Sequence, residues 1–219
     1  MKDRRAVIYC WSESDVIPFE KEDGDYIICA DSGTEYAKRT GAKPDVILGD
    51  FDSSKRPART DAFETVVLPK EKDDTDALFA ARFALNKGFK RIYLAGGLGG
   101  RLDHTLGAIA VLRFIEKNGA ECVISDGKTR VSMIRSETEK RFDFSEKTEY
   151  VSVFPSEGES KGVEIRGFKY SLSNFDLTSD FPIGVSNEPL FGKDGYIKAG
   201  KGDLIAVEIF KQQIIKERR

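Results

Sequence analysis

The stretch FALNKGFKRIYLA (83–95) decides the architecture of the first two-thirds of the chain. It reads as the end of a helix, a glycine stop and a short apolar strand. Gly88 stands where a helix C-terminus takes a left-handed residue, and Ile92, Tyr93, Leu94 and Ala95 form the apolar run that follows. The same unit recurs in EYAKRTGAKPDVIL (35–48), with Gly41, and in FIEKNGAECVIS (114–125), with Gly119. Further strands are expected at 6–10 and 26–30, and the two best helices at about 75–87 and 104–117. Leu78, Ala81 and Leu85 share one face of the first helix, and Leu106, Ile109, Ala110 and Phe114 one face of the second. Strands alternating with helices predict a doubly wound, mostly parallel sheet that binds its ligands at the carboxyl ends of the strands.

Outward from that core the composition changes. Residues 1–139 hold 14 of the 16 alanines, whereas residues 140–219 hold 11 of the 23 aromatics. Alanine favours helices and aromatics favour strands. RFDFS, EYVSVFP, GVEIRGFKYSL and DLIAVEIF read as strands separated by turns such as 156–158 and 193–195. The expected fold is an α/β N-terminal domain over 1–128 and an all-β C-terminal sandwich over 129–219.

The 219 residues carry 35 Lys+Arg against 37 Asp+Glu, a net charge of -2, which argues against a nucleic-acid partner bound through bulk positive charge. No apolar run is long enough to span a membrane, and MKDRRAVIYCW lacks the apolar stretch of a signal peptide, so a cytoplasmic location is expected. Cys10, Cys29 and Cys122 are widely spaced and read as buried thiols. With His104 the single histidine, chemistry must come mostly from carboxylates, Lys and Arg. Trp11, the single tryptophan, ends the first strand and reads as core or rim packing.

The acidic residues gather where the sheet's carboxyl edge is expected. Asp31 follows the strand YIICA, and Asp50 and Asp52 follow VIL in LGDFDSS. Asp73, Asp74 and Asp76 open a helix in KDDTD, with Thr75 among them and Lys72 just before, and Asp103 opens another in GGRLDH. Any one of them could simply cap a helix or end a turn. Asp50 and Asp52 are different: two apart in extended chain, they point the same way and repel unless a cation lies between them. Oxygen-only ligands suit Mg²⁺ beside a polyphosphate. The turn GGLGGRLDH (96–104) lets the backbone approach an anion at a helix N-terminus, with Arg101 available to clamp phosphate. It is neither a Walker A loop nor a GxGxxG fingerprint, and a tight turn alone would explain it. His104 reads as an orienting or packing residue.

Taken in order, ADSG (30–33), GDFDS (49–53), KDDTD (72–76) and GGRLDH (99–104) resemble the thiamine pyrophosphokinase family, as do GFKYSL (167–172) and GVSN (184–187). The resemblance implies transfer of pyrophosphate from ATP to the thiamine hydroxyl with Mg²⁺, giving thiamine diphosphate and AMP, by a homodimer with active sites between subunits. It implies Asp50, Asp52 and Asp76 as metal ligands, and Arg101, Asp103, Lys72, Asp73, Thr75 and His104 around the nucleotide. Asp31 joins the catalytic acids, and Ser186 and Asn187 the thiamine contacts. Animal relatives carry a Trp shortly after the Ser-Asn pair; here Glu188, Pro189, Leu190 and Phe191 follow, leaving Tyr170 and Phe191 as candidates to stack on the pyrimidine. The competing readings are a diphosphokinase of a hydroxymethylpterin and a non-catalytic nucleotide- or thiamine-binding regulator.

Overall fold

A computed structural model describes residues 4–49, 64–67, 74–144, 148–190, 192 and 194–211. The chain divides into two compact units, Met1–Gly127 and Lys128–Arg219. The first is the α/β unit. Its strands are β1 (Arg5–Tyr9), β2 (Tyr26–Ala30), β3 (Val46–Gly49), β4 (Glu64–Val67), β5 (Arg91–Ala95) and β6 (Glu121–Ser125), and its helices α1 (Gly33–Arg39), α2 (Asp76–Asn86) and α3 (Leu102–Lys117). The strands lie in the order β4-β3-β2-β1-β5-β6, every neighbouring pair parallel. From β1 the chain works outward to β4, then returns through α2 to the other side of β1 as β5. The order therefore reverses between β1 and β5, the place where a doubly wound sheet opens a crevice for ligands.

Burial follows from both faces being covered. Every residue of β1 and β3 is buried, as parallel strands between helices require. Val7, Tyr9, Cys29 and Ile47 share one face with Tyr36 and Ala37 of α1, while Ile8, Ile28 and Val46 alternate to the opposite face. The helices turn differently from the expected faces. α2 buries Ala80, Ala81 and Ala84, with Leu78 and Leu85 only half-buried. α3 starts at Leu102 and buries Ala108, Val111, Leu112, Ile115 and Glu116, while Leu106 is 59% exposed and Ala110 is exposed too. Both helices are apolar on more than one side, so periodicity alone does not choose the buried stripe; in α2 the small Ala80, Ala81 and Ala84 let the helix come close to its neighbours. Glu116 sits in that stripe because its Oε1 accepts the Cys122 N–H at 2.7 Å, tying the last turn of α3 to β6.

No helix bridges β1 and β2. That connection is held down by side chains: Arg39 donates to Asp15 (2.9 Å) and to the Ser12 carbonyl (2.5 Å), Tyr36 OH to the Val16 carbonyl (2.8 Å), and Ser14 Oγ to the Asp126 carbonyl (2.8 Å). At the other end of the connection the buried Arg5 guanidinium grips Asp25 at 2.6 Å.

The second unit is all-β: β7 (Thr129–Ile134), β8 (Glu139–Phe142), β9 (Thr148–Pro155), β10 (Glu159–Arg166), β11 (Leu172–Thr178), β12 (Gly195–Lys198) and β13 (Leu204–Phe210). β7, β13 and β9 form one antiparallel group, and β11-β10-β12-β8 a second sheet. Ile134, Val151, Val153, Leu204 and Ala206 from the first group meet Phe142, Val163, Ile165, Leu177 and Ile197 from the second in one core, which is the expected sandwich. The stretch GVEIRGFKYSL, expected as one strand, breaks at Gly167. This residue takes φ 79, and a Cβ there would lie 2.1 Å from the Asp194 carbonyl oxygen, so only glycine makes the bend.

Candidate active site

A cavity of about 380 Å³ opens in the α/β unit beside the point where the strand order reverses. Its walls come from the chain just beyond the carboxyl ends of β1, β2 and β5 and from the first turns of α2 and α3. Five of the expected residues line it: Asp31, Thr75, Asp76, Asp103 and His104.

Asp31 is placed by a bent backbone. With φ 44 it lies in the left-handed region, sparsely populated outside glycine but tolerated by Asp and Asn. Its N–H donates to the Leu48 carbonyl at 2.7 Å, and its carbonyl accepts from Thr34 N–H (3.2 Å) and Thr34 Oγ1 (2.9 Å). Neighbouring glycines make the room. A Cβ on Gly33 would sit 1.9 Å from the Tyr9 carbonyl oxygen, and one on Gly49 would press on the Asp31 Cα at 3.3 Å. Strain held at a cavity wall by surrounding hydrogen bonds is the pattern of a functional position.

Asp76 occupies the first turn of α2, where the helix dipole favours negative charge, and Thr75 caps that helix by accepting the Leu78 N–H at 3.3 Å. Asp74 turns to the helix surface, pairing with Arg82 at 2.9 Å. Across the cavity, Gly96 and Gly97 take φ 89 and 74, with Gly97 N–H donating to the Trp11 carbonyl at 2.9 Å. Asp103 in the first turn of α3 takes both Arg101 donors, at 3.1 and 2.5 Å, and the His104 N–H at 3.0 Å. Arg101 hydrogen bonding holds the Asp103 carboxyl below its ordinary range, and the same pairing raises Arg101. Arg101, expected to clamp phosphate, thus stands exposed beside the cavity, engaged with Asp103.

The structure adds Cys10, Trp11 and Ser32 to the walls. Burial pushes the Cys10 thiol up to about 12, so it is a neutral wall rather than a nucleophile. Trp11 had a signal in the sequence, its place one step past an apolar strand on the ligand-binding edge.

The remaining expected residues divide in two. Asp50, Asp52, Lys72, Asp73 and Phe191 lie outside the described residues. Ser186, Asn187 and Tyr170 meet in the β unit. The Asn187 side-chain amide bonds the Tyr170 backbone twice, accepting its N–H at 3.0 Å and donating to its carbonyl at 2.6 Å. Ser186 holds a left-handed φ of 56 and gives its N–H to Ser152 Oγ at 2.9 Å. Asn187 is buried, whereas Tyr170 is 62% exposed.

Comparison with known proteins matches both units. The family model described as "Thiamin pyrophosphokinase, catalytic domain" matches residues 20–124, and "Thiamin pyrophosphokinase, vitamin B1 binding domain" matches 134–202. A thiamine pyrophosphokinase of Bacillus subtilis (strain 168) is 31% identical over 184 residues, covering 82% of this chain and 85% of the relative. The crystal structure of thiamine pyrophosphokinase from Bacillus subtilis superposes with a TM-score of 0.83 at 26% identity, covering 96% of this chain and all of that one (100%). That of thiamin pyrophosphokinase from Geobacillus thermodenitrificans does so with a TM-score of 0.79 at 24% identity, covering 97% and 100%.

Proposed function

The chain belongs to the thiamin pyrophosphokinase family, and from this membership and the cavity we infer that it transfers the diphosphate of ATP to the hydroxyl of thiamine, giving thiamine diphosphate and AMP. The observation that carries the reading is one cavity, at the strand-order reversal, walled by Asp31, Asp76 and Asp103 and by the first turns of two helices.

The donor set fits magnesium. Among the described residues no three metal-ligating side chains cluster, but Mg²⁺ takes only one or two protein carboxylates and completes its shell with phosphate and water. Asp31 and Asp76 supply such carboxylates; Asp50 and Asp52 join this proposal through their motif. When bound, the ion neutralises charge on the phosphate oxygens.

The chain's own groups do the rest. Backbone N–H groups at the starts of α2 and α3 favour the polyphosphate, with Lys72, Asp73 and Arg101 around it by motif. The thiamine oxygen forms its bond to the β-phosphorus as the bond from that phosphorus to the α-bridging oxygen breaks; AMP leaves with that oxygen, and the hydroxyl proton passes to a carboxylate. The acceptor is one of the cavity's aspartates, Asp31, Asp76 or Asp103. Ser186 and the exposed Tyr170 ring, held by Asn187, are the thiamine contacts. We further propose a homodimer whose active sites form between subunits.

The test is product identity. Incubation with ATP, Mg²⁺ and thiamine should yield thiamine diphosphate and AMP, and EDTA should abolish it. ADP as the nucleotide product, or turnover of hydroxymethylpterin in place of thiamine, would overturn the reading.

A further inference from the structure

Resting on the reading above, which places the nucleotide in the α/β unit, we propose that Trp11 is the platform on which the adenine ring of ATP stacks. Trp11 directly follows Cys10 at the end of β1, on the flank of the strand-order reversal, and lines the same cavity as Asp31, Asp76 and Asp103. It is half-buried rather than packed in the core.

The indole is held from several directions. Its carbonyl accepts the Gly97 N–H at 2.9 Å, and a Cβ on Gly96 would come within 2.9 Å of that same oxygen. The six-membered ring lies flush on Gly100: a Cβ there would meet Cη2 at 2.5 Å and Cζ3 at 2.6 Å. Gly100 also takes φ 58, so glycine answers both the close approach and the left-handed backbone. The His104 ring stands perpendicular to the indole, with centroids 6.4 Å apart. The glycines of GGLGG thus do more than approach an anion; they seat an aromatic ring.

A fixed aromatic wall beside two helix N-termini suits a ligand that joins a flat ring to a polyphosphate. Base–aromatic stacking is tolerant of geometry and contributes substantially to binding. Thiamine also has flat rings, but the vitamin B1 binding match lies at 134–202, wholly in the β unit, which leaves the adenine for the wall in the α/β unit. Trp11 precedes the catalytic-domain match, which begins at residue 20, so the wall is read from this chain's own geometry.

The single tryptophan makes its own fluorescence the reporter. AMP, and α,β-methylene-ATP with Mg²⁺, should quench the emission, while pyrophosphate with Mg²⁺ or thiamine alone should leave it unchanged. Trp11→Ala should raise the KM for ATP about ten-fold or more with the KM for thiamine unmoved, and Trp11→Phe should recover most of the loss. Quenching by thiamine or pyrophosphate without the nucleotides, or an unchanged KM for ATP in a folded Trp11→Ala chain, overturns the proposal. If Trp11→Ala fails to fold, the wild-type titration and the Trp11→Phe kinetics decide. The two readings fail separately. Thiamine diphosphate made by a wild-type chain whose emission ignores nucleotide sinks the stacking alone; nucleotide quenching in a chain that makes no thiamine diphosphate sinks only the diphosphate-transfer assignment.

Discussion

Asp31 combines a charge and a backbone conformation, and the two can be separated. Asn tolerates the left-handed region as Asp does, so Asp31→Asn removes the charge while preserving φ 44. It should lower kcat by about a hundred-fold, the scale of losing one preorganised electrostatic group, with the melting temperature unchanged. Asp31→Ala should show the same loss of turnover and about 1 kcal/mol less stability in urea, because alanine resists that backbone. Equal activity in Asp31→Asn and wild type would remove Asp31 from the site. Asn187 teaches the complementary lesson. Its side-chain amide bonds the Tyr170 backbone twice, and we propose that part of its contribution to thiamine binding passes through Tyr170.

At the scale of elements, the cavity depends on how closely the first turns of helices can approach strand ends. Gly33 opens α1 where a Cβ would overlap the Tyr9 carbonyl, a backbone atom that cannot rotate aside. Gly33→Ala should therefore destabilise the chain by about 1–3 kcal/mol. Gly107 lies inside α3 with no atom within 4 Å of its would-be Cβ. Gly107→Ala should stabilise the chain by up to about 1 kcal/mol through helix propensity. Urea titrations that gave both substitutions the same sign would contradict this account of the packing. Elements with a strong local signature were legible from the sequence, among them the strands ending at Ala30 and Ala95 and the helices that follow the acidic motifs. β7 and β12 were not read as separate strands, because short antiparallel strands take their identity from partners far along the chain; β11 pairs with neighbouring β10, but as an edge strand that buries only Leu177 it carries little apolar pattern. The buried stripe of α3 also escaped, since apolar residues on several of its sides make the period ambiguous.

For the whole molecule, the proposed dimer makes a distinctive demand. Asp76→Asn and Ser186→Ala lie in different units; the first should lose turnover and the second chiefly raise the KM for thiamine, so at thiamine far below that KM each should be nearly inactive alone. If a site draws one unit from each subunit, mixing the two variants through a denaturation–renaturation cycle should restore part of the activity, because mixed dimers contain one intact site. Activity no greater than the sum of the separate variants would refute shared sites. Exposed Phe181, Ile183, Val185 and Leu190 in the β unit are apolar surface of the kind that subunit contacts bury. What the sequence determined by itself was local: where strands and helices alternate, where alanine gives way to aromatics, and which carboxylates follow strand ends. Those features depend on a residue and its near neighbours. Only the tertiary structure decided that Asp31 takes a left-handed turn, that Arg101 is engaged by Asp103, and that Trp11 becomes a cavity wall seated on Gly100. The Asp31 turn and the Trp11 wall depend on chain segments far apart in sequence, brought together by the order of strands in a sheet, whereas Arg101 and Asp103 are two residues apart and their pairing needed only the geometry of the turn.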